Sequence, residues 1–174
     1  MSHSCRNSVS ASKSNITQMN PQEQKTLEVI SAHRQRVFNL MSRLSQEVMR
    51  RGNDHDESKL GPEELPHYIA TIDEFEQHAY GSDGYHKAKE SLGPAVLHHY
   101  KHNRHHPEHF GGDIGKMNLV DLLEMLADWK SATQNHPEKP GNMAKSISLA
   151  VDKYKISPEL SRILYNTAID FGMI

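Results

Sequence analysis

Histidine is the residue type in this chain with the clearest chemical use. The sequence holds 13 histidines among 174 residues, and six of them fall between residues 97 and 109. Neutral imidazole is the commonest protein ligand for transition metals. An adjacent His55-Asp56 pair, a separate His33 and Asp128 offer further nitrogen and oxygen ligands. These residue types predict a divalent-metal site of mixed nitrogen and oxygen ligation.

Each candidate also has an ordinary structural interpretation. His33 fits a core histidine hydrogen-bonded to a carbonyl, and His55-Asp56 fits a polar loop that caps the next helix. Asp121, Glu124 and Asp128 lie on one side of a predicted helix and fit its solvated face. A solvent-facing helix with His98, His102 and His109 would look similar and would bind metals adventitiously. The residue types alone leave these alternatives open.

The apolar periodicity predicts an all-α fold of roughly six helices. The clearest helix runs from Pro21 to Arg51, with Asn20 as its N-cap and Gly52 at its end. His33 falls within the apolar stripe of this helix, so we expect it to point inward. Further helices are predicted over about 62–79, 94–106, 119–133, 143–155 and 158–169.

The predicted helix that begins at Pro94 carries the clustered histidines. At about 100° per residue, His99 falls on the side of the apolar residues whereas His98 falls opposite, which makes His99 the inward candidate. Pro107 ends this helix, because proline is not tolerated in a helix interior. We therefore expect His105 and His106 at its C-terminal end.

Composition narrows the class of protein and its partners. A formal net charge of −2 and a pI near 6.7 give no strong nucleic-acid signal, so a small substrate is expected. No apolar run approaches the ~20 residues of a membrane span, and the single Cys5 cannot form an internal disulfide. We expect a cytoplasmic protein, with residues 20–174 as one domain. Residues 1–19 are predicted to be a disordered tail, with a transit peptide as the alternative.

The order of the metal-site candidates along the chain resembles that of a known superfamily. A first-helix histidine, a His-Asp pair and a distal aspartate, here His33, His55-Asp56 and Asp128, resemble the HD superfamily of metal-dependent phosphohydrolases. The run His105-His106-Pro107-Glu108 is similar to the paired histidines of members that bind two or more metals. The longer string also resembles a small family of phage and bacterial proteins of unassigned function.

This resemblance implies an HD-like helical domain that holds one or two divalent ions, of Mn, Fe, Co, Ni or Zn. The predicted ligands are His33, His55, Asp56, His99, His105, His106 and Asp128. Asp56 is the candidate bridge if a second ion is present. Many HD nucleotidases have an acidic residue shortly after the His-Asp pair, where this sequence has Ser58-Lys59.

The implied activity is hydrolysis of a nucleotide or related small phosphoester by metal-activated water. Lys59 and Arg36 are predicted to bind phosphate, and Asn103 to contact the substrate or orient a ligand. Glu57 or Glu124 would accept or donate protons during the hydrolysis.

Two other functions fit the same residues. A mixed-valent di-iron oxygenase would use a similar His/Asp set, and a non-catalytic metal-stabilised protein would bind a nucleotide without turnover. A homodimer is also possible, since the helices of residues 143–174 fit either packing on the domain or a dimer seam.

Overall fold

The computed structural model describes residues 19–78, 81–134 and 140–174, and within them the fold is all-α. Seven α-helices are present there: α1 Pro21–Asn53, α2 Leu65–Gln77, α3 Asp83–Ser91, α4 Pro94–His102, α5 Leu119–Gln134, α6 Met143–Tyr154 and α7 Pro158–Asp170. Short 3-10 turns cover Glu57–Leu60, Pro107–Phe110 and Ile114–Lys116. The predicted tail of residues 1–19 lies outside the described residues except for its last residue, Met19.

The start of α1 follows from a reciprocal cap. Asn20 Oδ1 accepts a hydrogen bond from Glu23 N at 2.9 Å, and Glu23 Oε2 accepts one from Asn20 N at 2.9 Å. This arrangement satisfies two backbone donors that the first helical turn would otherwise leave free. The predicted N-cap is confirmed, and the helix continues two residues beyond the predicted end at Arg51.

The chain divides into two compact units, residues 1–43 and residues 44–174, called here the first and second unit. The described part of the first unit is the N-terminal portion of α1. No residue of α1 is buried, and Ile30 and Val37 are 48% and 45% exposed. The expectation that His33 points inward is therefore wrong, because His33 is exposed. A single helix offers its own apolar stripe no second layer to pack against.

The core of the second unit joins its last three helices. Met125 and Leu126 of α5 pack with Ile147 of α6 and with Leu164 and Ala168 of α7, all at most 2% exposed. The inner faces of α6 and α7 thus pack on the domain. This was one of the two arrangements that the sequence allowed for residues 143–174, the other being a dimer interface. α7 begins as predicted, because Ser157 Oγ accepts from Leu160 N at 3.3 Å and Pro158 follows it.

Two differences from the predicted helices bear on the site. Helix α4 ends at His102 rather than at Pro107, because Asn103 adopts an extended conformation and its Nδ2 donates to the carbonyl of His99 at 2.8 Å. His105 and His106 consequently lie in the turn after α4, not within the helix. Helix α3 was not predicted at all.

None of the described helices combines the length and the apolar character needed to cross a membrane.

Candidate metal centre

Asp56 lies at the centre of the histidine cluster. Its Oδ1 lies 3.2 Å from His99 Nε2 and 3.4 Å from His105 Nε2, while its Oδ2 lies 3.4 Å from His55 Nε2. The backbone of Asp56 is left-handed, with φ of 57°, which is uncommon for a non-glycine residue. Asp56 lies between α1 and the 3-10 turn Glu57–Leu60. Its conformation places the carboxylate against imidazoles from three segments of the chain.

Two sets of possible ligand atoms share this centre. One comprises Asp56, His99, His105 and His106, and the other comprises His55, Asp56, His105 and Asp128. Within each set the ligand atoms lie within 4.8 Å of one another. Asp56 and His105 belong to both sets, so this His/Asp group could hold one ion or two neighbouring ions.

Two glutamates, the fully buried Glu64 and the half-buried Glu124, orient the imidazole rings through the nitrogens that face away from Asp56. Glu64 Oε2 accepts from His99 Nδ1 at 2.9 Å, and Glu124 Oε1 accepts from His55 Nδ1 at 3.0 Å and lies 3.1 Å from His105 Nδ1. A neutral ring that donates from Nδ1 carries its lone pair on Nε2. When these rings are neutral, the glutamates thus favour the tautomer in which the lone pair is on Nε2, the nitrogen that faces Asp56. This is the form of the ring that binds a metal.

Electrostatics favour a cation at this centre. Asp128 and Glu124 raise the pKa of the His55 imidazole to about 10 despite its partial burial, because both carboxylates accept hydrogen bonds from its protonated ring. A metal that binds His55 would therefore displace a proton from it. Burial opposes ionisation of Asp56, but the contacts with His99 and Lys59 hold its pKa below the usual range. Burial lowers the pKa of His106 to about 2, and His105 adds to this, so His106 is neutral and able to bind a metal.

The donor atoms themselves fit a bound metal ion. Asp56 Oδ1 and His105 Nε2 are buried, and neither makes a hydrogen bond within the part of the chain described. Buried polar atoms are normally paired, and a cation would satisfy both. The Nε2 atoms of His99 and His106 lie 2.9 Å apart. Two nitrogens bound to one ion at ~2.1 Å lie about 3.0 Å apart at adjacent octahedral positions and about 3.4 Å apart in a tetrahedral site, so the observed separation is nearer to the octahedral one.

The remaining predicted site residues lie elsewhere. His33 and Arg36 are exposed on α1 in the first unit, and His33 is in neither set of possible ligands. Glu57 is exposed, and Asn103 is buried with its Nδ2 donating to Ser58 Oγ at 2.7 Å. Asn103 therefore orients the segment around His99, and neither it nor Glu57 lines the cavity beside the cluster.

Three of the six clustered histidines have structural partners. His98 Nδ1 donates to Glu64 Oε1 at 2.7 Å, His102 Nδ1 donates to the carbonyl of His98 at 2.8 Å, and His109 Nδ1 donates to the carbonyl of Tyr100 at 3.0 Å. None of them belongs to either ligand set.

Two residues that hold the candidate ligands in place were not predicted from the sequence. Glu64 is fully buried and serves His98 and His99 together, yet nothing in the local sequence distinguishes it from its exposed neighbour Glu63. Arg51 pairs with Asp121 at 2.9 Å and with Glu124 at 2.5 Å, which fixes the glutamate behind His55. The acidic side of α5 is the signal that could have indicated Arg51. That helix is apolar almost everywhere else, so its acidic residues predict a cationic partner.

A cavity of about 640 Å³ opens beside the cluster. Asp56, His99, His106 and Asp128 line one part of it, and Lys59 lies among them with its ammonium 2.5 Å from Asp56 Oδ2. The rest of the wall is rich in aromatic side chains, contributed by Tyr68, Phe75, Tyr85, Tyr100, Trp129 and Tyr154. A concave, largely apolar site with a few convergent polar groups is the usual form of a small-molecule pocket.

The chain belongs to a family of unknown function, DUF5662, whose model matches residues 22–170. Comparisons with curated proteins and with solved structures gave no match.

Proposed function

Because membership of a family of unknown function carries no activity with it, we propose from the site itself that the protein is a metal-dependent phosphohydrolase. Its substrate would be a nucleotide or a related small phosphoester. The observation that carries the proposal is the convergence of His55, His99, His105 and His106 on Asp56 beside a cavity that also holds a lysine.

The ligand assignment follows from how Asp56 is held. Its Oδ1 faces His99 and His105 of the first set, and its Oδ2 faces His55 of the second, so Asp56 would bridge two ions. Asp128 would complete the second set. Divalent ions bound here would lower the pKa of water and offset the charge that develops on phosphorus.

The surrounding residues of the chain would prepare this chemistry. Glu64 and Glu124 hold the imidazole rings with Nε2 facing Asp56. Lys59 places a positive charge beside Asp56 and on the cavity wall, where it would attract a phosphate oxygen. The aromatic wall would exclude water around the substrate and strengthen these electrostatic interactions. Glu124 is bound by Arg51 and the histidines, so we assign it to positioning and not to proton transfer.

Turnover of a phosphoester panel tests the proposal. We expect the protein loaded with manganese, cobalt or nickel to hydrolyse at least one nucleotide or sugar phosphate. His106→Ala and Asp56→Asn should lower that rate at least about a hundredfold, because several kcal/mol of charge stabilisation depend on the ions. The matched control is His102→Ala, since His102 lies on α4 outside both ligand sets and is exposed.

Two outcomes would contradict the proposal. One is the absence of hydrolysis across the panel by protein that retains its metal. The other is a rate that survives Asp56→Asn unchanged, which would assign the activity to a contaminant or another site.

A further inference from the structure

The cavity beside the metal centre holds more positive charge than the proposed reaction uses. Lys59, Lys89, Lys145 and Lys153 all line it. Lys59 is paired with Asp56 at 2.5 Å, and Lys153 is paired with Glu108 at 2.7 Å. Lys145 is exposed to solvent. Lys89 differs from all three.

Lys89 is half-buried on α3, and it forms no ion pair with any residue that the structure describes. Its ammonium lies over the ring of Tyr100, 5.3 Å from the ring centre. Glu108, which also lines the cavity, has its Oε1 occupied by hydrogen bonds from Lys153 Nζ and Tyr154 OH, both at 2.7 Å. Burial lowers the pKa of Lys89, which means that the charged form of this side chain is less favourable here than in water.

The position of Lys89 connects it with the metal centre. The ring of Tyr100, which Lys89 contacts, lies 5.0 Å from the ring of His106, a member of the first ligand set. An ammonium one aromatic ring away from a metal ligand, on the wall of the same cavity, is within reach of an anion bound there. A half-buried charge without a partner is unfavourable for folding unless a ligand supplies the partner.

We propose that Lys89 is an anion-binding residue that holds a phosphate group of the ligand seated in this cavity. The inference rests on the proposed function, because it assigns a recognition residue to the same site. It also commits that site to an anionic ligand, since a neutral ligand would leave the ammonium unpaired.

Binding of inorganic phosphate to the manganese-loaded protein, measured by titration calorimetry, tests this role without any turnover. Lys89→Met should weaken phosphate binding at least about tenfold, the usual worth of a hydrogen bond to a charged group. Lys89→Arg should retain most of the affinity. Lys87→Met is the matched control, because Lys87 is exposed on the same helix and does not line the cavity, and it should change nothing.

Thermal unfolding separates recognition from a structural role. If Lys89 is kept for a ligand, Lys89→Met should melt at the same temperature as the wild type or higher, because it removes a half-buried charge that forms no ion pair with the described residues. A lower melting temperature together with unchanged phosphate affinity would overturn the inference. So would wild-type protein that does not bind phosphate at millimolar concentration.

The failure of this inference can be told from that of the proposed function. Phosphate binding that depends on Lys89, in a protein that hydrolyses no ester, would support the anion site and contradict the hydrolase. Hydrolysis that depends on Asp56, with phosphate affinity indifferent to Lys89→Met, would do the reverse.

Discussion

Glu64 shows how much of the proposed centre depends on residues that would never touch the metal. Both of its oxygens accept hydrogen bonds, from His98 at 2.7 Å and from His99 at 2.9 Å, and its side chain is fully buried. A carboxylate that receives the N–H of a metal-binding histidine fixes the ring and raises its basicity. Glu64 thus controls which nitrogen of His99 faces Asp56.

Glu64→Gln should weaken metal binding by roughly tenfold to a hundredfold, because the amide replaces one of the two acceptor oxygens by an NH2 group that faces a histidine N–H. The measurement is the dissociation constant for Mn²⁺, obtained by titration of the metal-free protein. Glu63→Gln is the neighbouring control, exposed and expected to bind as the wild type does. Equal affinity in Glu64→Gln and Glu63→Gln would remove Glu64 from the site.

Among individual residues, the sequence identified possible metal ligands better than the residues that hold those ligands in place. His55, Asp56, His99 and Asp128 are identifiable because ligand chemistry is a property of the side chain, and the structure brings them together. The buried partner could not be predicted in the same way. Glu63 and Glu64 are chemically identical, and only the packing of the start of α2 against α4 distinguishes them.

Among the helices, α5 carries the most connected ion network. Asp121 is fully buried and accepts from Arg51 at 2.9 Å, from Arg104 at 2.9 Å and from the backbone N–H of Asn118 at 3.0 Å. These bonds join the end of α1, the turn after α4 and the start of α5. The same arginine, Arg51, also pairs with Glu124 one turn further along α5, so the network supports the candidate metal centre as well.

Asp121→Asn should destabilise the metal-free protein by about 3–5 kcal/mol, because it leaves Arg51 and Arg104 without their shared buried partner. Burial opposes ionisation of Asp121, but the bonds from Arg104, Asn118 and Arg51 hold its pKa below the ordinary value. Its contribution is therefore complete above the unfolded pKa of ~3.9 and is lost as pH falls through the lower, folded pKa.

Urea unfolding in the presence of a chelator, at pH 7 and below pH 4, measures both effects. The stability difference between the wild type and Asp121→Asn should shrink in acid. Asp113→Asn is the control, since its carboxylate is 55% exposed and forms an ion pair with the exposed Lys116. Its Oδ1 also accepts from Gly115 N at 3.1 Å, a hydrogen bond that an asparagine oxygen can accept as well. A variant as stable as the wild type at pH 7 would show that the network does not stabilise the fold.

The limits of helix prediction in this chain have physical causes. Helix starts at Asn20 and Ser157 are predictable because a cap is a local hydrogen bond. Helix α3 was not predicted because it is 9 residues long and mostly polar and because Gly84 lies in its first turn. Ser82 Oγ nevertheless caps it by accepting from Tyr85 N at 3.2 Å. The burial of the α1 stripe depends on what packs against it, which its own sequence does not encode.

For the whole molecule, the candidate metal centre depends on segments that are distant in sequence. The possible ligands run from His55 to Asp128, and the turn before α2, the end of α4, the turn after it and α5 each contribute a ligand or its support. All of them belong to the second unit. The HD-like resemblance predicted a ligand from the first helix in addition, and the centre proposed here is built without His33. The predicted homodimer and the predicted substrate stay predictions.

The metal content of the purified protein is the first property to measure, because the proposed centre requires bound ions. Untagged wild type, Asp56→Ala and the control Asp54→Ala should be exposed to the same metals, desalted and analysed for bound elements. Asp54 is two residues away and pairs with Arg50 on an exposed face, so its variant should behave as the wild type.

The account predicts about two ions per chain in the wild type and in Asp54→Ala, and loss of both in Asp56→Ala, because Asp56 belongs to both ligand sets. Iron as the retained metal would redirect the assay toward oxygen chemistry, and manganese, cobalt or nickel toward phosphoesters. A wild type that retains no metal, or an Asp56→Ala variant that retains as much as the wild type, would contradict the account.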